Sequence, residues 1–113
     1  MPNFSVQSTI YNSMDRLDGM TEGLHKARSG LIRVLLRKRS GRIEDIIISG
    51  DFILTPEKYI DEMERSLVGT EAEREKILST LAGFFAKNKF QSPQTYPEDF
   101  AEAIMKALER QDG

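Results

Sequence analysis

Two apolar runs of strictly alternating pattern, joined by a four-residue turn, constrain this chain more than any other feature. In Leu31–Lys38, Ile32, Val34 and Leu36 share one side of an extended backbone, while Leu31, Arg33, Leu35 and Arg37 share the other. Arg39-Ser40-Gly41-Arg42 supplies the reversal, with a glycine free to take a positive φ. Ile43–Ser49 then reads as the return strand, rich in β-branched isoleucine, and Ile46 and Ile48 join Ile32, Val34 and Leu36 on the core face. The opposite face is only partly polar, because Leu35 and Ile47 fall there among arginines and Asp45. Either the preceding segment covers them or they belong to a docking surface.

The flanks of the hairpin differ in kind. Residues 1–20 carry sparse apolar positions (Phe4, Val6, Ile10) interrupted by Asp15, Asp18 and Gly19, and are expected to form an arm with a helical turn around Tyr11–Leu17. A short strand is expected at Leu24–Arg28, ended by Ser29-Gly30. Three helices are predicted downstream. Thr55 is placed to cap the first, with Pro56 at its first position and Glu57 near the positive end of the dipole. Its inward stripe is Ile60, Met63 and Leu67, and Gly69 stops it. Thr70-Glu71-Ala72-Glu73 matches a capping box for the second helix, whose apolar face is Ile77, Leu78, Leu81, Phe84 and Phe85. Ser92-Pro93 and Tyr96-Pro97 break the chain before a third helix that turns Phe100, Ile104, Ala107 and Leu108 inward. Strands grouped ahead of helices predict an α+β fold: a small antiparallel sheet of two to three strands, with three helices packed on one face. The expected division is an arm at 1–20 and a single domain at 21–113.

Chemistry is sparse. The 113 residues contain no cysteine, which removes disulfides, thiolate metal sites and a thiol nucleophile together. His25 is the only histidine, beside Lys26 in a predicted strand, and is expected at a surface or edge position. Glu57, Asp61 and Glu64 read as the wet side of the first helix. Neither GxxxxGK[ST] nor GxGxxG occurs. No catalytic, cofactor-binding or metal site is therefore expected on this chain alone. No apolar run of spanning length and no signal-peptide pattern is present, so a cytoplasmic location is expected.

Charge is unevenly placed. Lys26–Arg42 holds seven basic residues and no acidic one, whereas Glu44–Lys76 holds ten acidic residues against four basic. A solvated hairpin tip beside acidic helices accounts for this split; steering toward an acidic partner is the functional alternative. Nucleic-acid binding through Lys38, Arg39 and Arg42 is the weaker alternative, because no aromatic residue is interleaved for base stacking.

One segment is more particular. Ile46-Ile47-Ile48-Ser49 runs into Gly50-Asp51-Phe52-Ile53, with the first helix expected to begin soon after. A glycine at a strand exit permits a close backbone approach, Asp51 is expected to bond local N–H groups, and Phe52 to pack beneath the following helix. This corner resembles the C-terminal accessory domain of lipoate–protein ligases. The resemblance extends through His25-Lys26-Ala27-Arg28-Ser29-Gly30-Leu31-Ile32-Arg33-Val34, Gly41-Arg42-Ile43, Ile48 to Phe52, Thr55-Pro56-Glu57, Met63-Glu64, Leu67-Val68-Gly69 and Tyr96 to Phe100, roughly residues 23–109. Two positions depart from the family pattern: Ile53 stands where a second Phe is common, and Ser29-Gly30 where Gly-Gly is common.

The resemblance implies a fold similar to the iron–sulfur scaffold and sulfur-acceptor proteins, whose cysteine chemistry this chain lacks. It further implies a non-catalytic accessory subunit, paired with a catalytic large subunit that binds lipoate and ATP and forms lipoyl-adenylate. Lipoyl-carrier proteins would be met indirectly. Lys26, Arg28 and Arg33 near the strand start, with Gly50, Asp51 and Phe52 at the corner, are the candidate interface or structural positions. A general protein-interaction module with no link to lipoate is the competing reading.

Overall fold

The computed structural model describes residues 17–112, so the arm expected at 1–20 and its helical turn lie almost wholly outside the described residues. The elements run β1 (Thr21–Lys26), β2 (Leu31–Arg39), β3 (Arg42–Gly50), α1 (Lys58–Leu67), α2 (Arg74–Lys87) and α3 (Pro97–Asp112). The strands form one antiparallel sheet in the order β1-β2-β3, an α+β fold as expected from the order of elements. The first strand begins earlier than its apolar residues suggest. Ala27 and Gly30 exchange backbone hydrogen bonds at 2.9 and 3.2 Å, and this turn takes Ala27 and Arg28 out of the sheet.

The hairpin forms as its alternation dictates. Ile32, Val34, Leu36, Ile46 and Ile48 are buried on one face. Ser40 and Gly41 both hold positive φ, 54° and 74°, the two-residue turn whose twist matches the strands it joins. Alternation alone would turn Ile43 outward. Instead Arg37 pairs with Asp45 and Lys38 with Ile43, so Glu44 is an extra residue, and this bulge reverses the parity. Ile43 is thereby buried, and Glu44 reaches Arg37 and Arg39 at the rim.

All three helices lie on the inner side. α3 crosses β1 and β2, α1 lies against β3, and α2 packs on the two helices as a second layer. Phe100, Ile104, Ala107 and Leu108 of α3, Met63 and Leu67 of α1, and Ile77, Leu81 and Phe84 of α2 join the sheet residues in one core. Each large apolar side chain buried there contributes about 1.5–3 kcal/mol.

Neither predicted helix start is built as the capping residues suggested. α1 begins at Lys58 with Glu57 preceding it and no side-chain cap. Thr55 is held elsewhere: its N–H and C=O bond with Gln91 at 2.9 and 2.8 Å, tying the β3–α1 loop to the α2–α3 loop. α2 begins at Arg74 after an extended Glu73. The intended box residues are drawn onto the sheet instead. Gly69 N–H bonds Ile43 O, Ile43 N–H bonds Thr70 O, and Ala72 N–H bonds Gly41 O, all at 2.8–3.0 Å. Glu64 is also not on the wet side, since its Oε2 accepts the Ile48 N–H at 2.7 Å. Together these groups close the open edge of β3. None of the helices described is long and apolar enough to cross a membrane.

Candidate functional site

The six singled-out residues gather at one end of the sheet, and their roles divide. Lys26 is the last residue of β1 and pairs with Leu31, the first of β2; Ile32 pairs with Gly50, the last of β3. Gly50 has φ 144°, and a β-carbon there would stand 2.0 Å from the Leu31 carbonyl oxygen. Gly30 mirrors it with φ 146°, and its β-carbon would lie 2.7 Å from the Asp51 carbonyl oxygen. The Asp51 N–H bonds Leu31 O at 2.8 Å. The corner is thus a place where two backbones meet, and only glycine fits on each side.

Asp51 acts differently from the expectation. The Asp51 carboxylate is exposed and makes no bond to local N–H groups; its backbone amide does the anchoring. Phe52 packs against the core and meets Phe100 of α3 edge-on, with ring centroids 5.2 Å apart. The corner is therefore clamped between the sheet and the last helix.

His25 was missed as a structural residue because its partner lies far along the chain. Its side chain falls on the inner face of β1, and Nε2 is 3.1 Å from Asp99 Oδ1. Asp99 Oδ2 accepts the Tyr96 N–H at 2.9 Å, so one carboxylate both caps α3 and holds β1. Beside it, the hydroxyls of Ser29 and Thr95 hydrogen-bond each other, and Thr95 is 1% exposed. Ser92 Oγ donates to Thr95 O at 2.8 Å. Among the described residues, no buried side-chain nitrogen or oxygen lacks a partner. The Ser29, Ser92 and Thr95 hydroxyls at this end hold the β1–β2 turn to the α2–α3 loop.

The basic stretch does not form one patch. Arg33 Nε meets Glu22 at 2.5 Å, Arg37 meets Glu44 at 2.7 Å and Asp45 at 3.7 Å, and Lys38 pairs with Asp112. Arg39 meets Glu44 at 3.3 Å and Arg42 meets Glu71 at 3.5 Å, while Arg42 Nη1 also donates to Gly69 O. Hydrogen bonds from Arg37 and then Arg39 hold the Glu44 carboxyl below its ordinary pKa. A bond from Arg74 does the same for Glu102 on α3. Lys26 and Arg28 are the exceptions, exposed and without a carboxylate partner among the described residues.

Among the described residues no three His, Asp or Glu side chains cluster as metal ligands. An open cleft of about 610 Å³ is lined by Thr55, Pro56, Lys89, Phe90 and Gln91, none of them a candidate position and no two of them an acid–base pair. What the geometry offers is one end of a sheet carrying exposed leucines and, among the described residues, two cations without a carboxylate partner.

The family model for the bacterial lipoate protein ligase C-terminus matches residues 22–104. Lipoate-protein ligase A subunit 2 of Thermoplasma acidophilum is 42% identical over 79 residues, covering 70% of this chain and 81% of that protein. A chain in the structure of a bi-partite lipoate protein ligase and its E2 lipoyl domain, also from Thermoplasma acidophilum, superposes with a TM-score of 0.68 and 40% identity. That match covers 75% of this chain and 93% of the other. With most of its length matched in sequence and in fold, the chain belongs to the lipoate protein ligase C-terminal domain family.

Proposed function

We propose that this chain is the small, non-catalytic subunit of a two-part lipoate–protein ligase and acts in protein lipoylation beside a separate large subunit. The observation that carries the reading is its likeness, over most of its length, to subunit 2 of an archaeal bi-partite ligase. The chemistry of the chain supports it. Cysteine is lacking, the only histidine is engaged with Asp99, and the carboxylates whose pKa values are shifted sit in ion pairs with arginine at the surface.

In this reading lipoate and ATP are bound by the large subunit. The small subunit closes over that site, excludes water and orders the surrounding loops, which raises the rate of adenylate formation without contributing a reacting group. The lipoate carboxylate attacks the α-phosphate of ATP, and pyrophosphate leaves as lipoyl-adenylate forms. Transfer of the lipoyl group to the lysine of a carrier protein then depends much less on the small subunit.

Reconstitution tests this directly. Pyrophosphate release by the large subunit with lipoate and ATP should be negligible alone and appear on adding this chain. Transfer from ready-made lipoyl-adenylate should proceed with or without it. Equal activation in its absence would sink the proposal.

A further inference from the structure

We propose that the outer face of the sheet at its Lys26 end is the surface that binds the large subunit, through carboxylates of that subunit that meet Lys26 and Arg28 around an apolar centre of Leu24 and Leu31. This deepens the preceding section and rests on its reading that the chain works in a complex.

Four features of the fold point to that surface. Among the described residues the helices pack on one face of the sheet, and the other face carries exposed residues of β1 and β2. On it, Leu24 stands opposite Arg33 and Lys26 opposite Leu31 across the β1–β2 pair. Leu24 and Leu31 are 41% and 38% exposed, next to half-buried Leu35 on β2, whose β3 partner is half-buried Ile47. Apolar contact ringed by charge is the usual anatomy of a protein interface.

Charge then selects the end of that face. Every other cation of the sheet is met by a carboxylate of the chain itself: Arg33 by Glu22, Arg37 and Arg39 by Glu44, Lys38 by Asp112, Arg42 by Glu71. Lys26 and Arg28 have none among the described residues, while Asp99, the carboxylate that reaches β1 at that end, is already held by His25 and the Tyr96 N–H. An uncompensated cation pair beside exposed leucines is complementary to an acidic protein surface.

The platform is also stiff. The Gly30 and Gly50 backbone contacts, the Ala27–Gly30 bonds and the bond from half-buried Ser29 to buried Thr95 fix the turn that carries Arg28. Preorganised groups lose little freedom on binding. The alternative surfaces are poorer: β3's edge is closed by Gly69, Thr70 and Glu64, and the hairpin tip is internally neutralised.

Titration calorimetry of this chain against the large subunit of the same ligase tests the assignment. Lys26→Glu with Arg28→Glu should weaken binding roughly tenfold or more, and Leu24→Ser with Leu31→Ser by a similar factor. Lys76→Glu with Lys87→Glu, the same charge change on α2, should stay within about twofold of the unaltered chain. All six positions are exposed, so melting curves should show each variant folded. Tight binding by the Lys26/Arg28 variant, or equal loss in the α2 variant, overturns this surface while leaving the subunit reading intact. Failure of the unaltered chain to bind any large subunit overturns both.

Discussion

Gly23 of β1 lies backbone to backbone against Ala107 of α3: a β-carbon on the glycine would stand 2.5 Å from the Ala107 nitrogen and 2.1 Å from the Ala103 carbonyl oxygen. Thr21 strengthens the same seam by donating its hydroxyl to Ala107 O at 2.7 Å. The helix can settle this deeply only because its facing residues are alanines and the strand offers no side chain. Gly23→Ala should therefore destabilise the chain by at least about 2 kcal/mol, since the clash is with backbone rather than a flexible side chain. Urea unfolding measures this. A variant as stable as its parent would mean that α3 rides outward at no cost.

The corner residues should separate by role. Gly50→Ala places a methyl on the Leu31 carbonyl and forces an alanine into a backbone region that glycine alone occupies comfortably, so a loss of about 2–4 kcal/mol is expected. Asp51→Ala removes an exposed carboxylate with no partner among the described residues and should change stability by no more than about 0.5 kcal/mol. Paired denaturation curves decide the matter. If Asp51→Ala proves as damaging as Gly50→Ala, the carboxylate holds the corner after all.

The hairpin and its core were legible because alternation is a local property: Ile32, Val34, Leu36, Ile46 and Ile48 lie where period two places them. The burial of Ile43 was not, because the Glu44 bulge depends on the pairing of two strands. Thr55 and Thr70 look like helix caps in isolation. Tertiary hydrogen bonds to Gln91 and Ile43 take their backbones instead, and those partners are remote in sequence. Gly23 and His25 failed to announce themselves for the same reason, their partners being Ala103, Ala107 and Asp99 near the other end of the chain. The candidate positions were found through family resemblance, and folding sorts them further. Gly50 sits at a close backbone contact, Phe52 meets Phe100, Arg33 meets Glu22, and Lys26 and Arg28 have no carboxylate partner among the described residues.

Acid should reveal the Glu44 cluster. Its folded pKa lies below the ordinary glutamate value, chiefly through the Arg37 bond and then the Arg39 bond. A depressed carboxylate adds stability that is fully present above its unfolded pKa and is lost as pH falls through the folded one. The loss therefore belongs below the usual glutamate range and should be small, because the pair is open to solvent and screened by salt. An NMR titration of the Glu44 carboxyl carbon checks it. Arg37→Gln should raise the midpoint more than Arg39→Gln, and the reverse order would contradict the assigned cause.

Nucleic acid gives the last check, because seven basic residues in succession along the sequence invite that reading and the fold argues against it. Polyanion binding draws its strength from counterions released as lysines and arginines replace them at phosphates. A cation already held by a carboxylate must first leave that partner, and the carboxylate itself repels the phosphate. Lys38, Arg39 and Arg42 at the hairpin tip are in this position, opposite Asp112, Glu44 and Glu71. Lys26 and Arg28 stand at the opposite end of the sheet, beside the start of β2, so the two groups do not form one track along a backbone. Single-stranded RNA and duplex DNA should migrate unchanged in the presence of this chain even at about 50 mM salt, where such contacts are strongest. Arg39→Gln with Arg42→Gln should make no difference to that result. Retardation that fades steeply with salt and disappears in the double variant would show that the tip releases its carboxylates to bind phosphate.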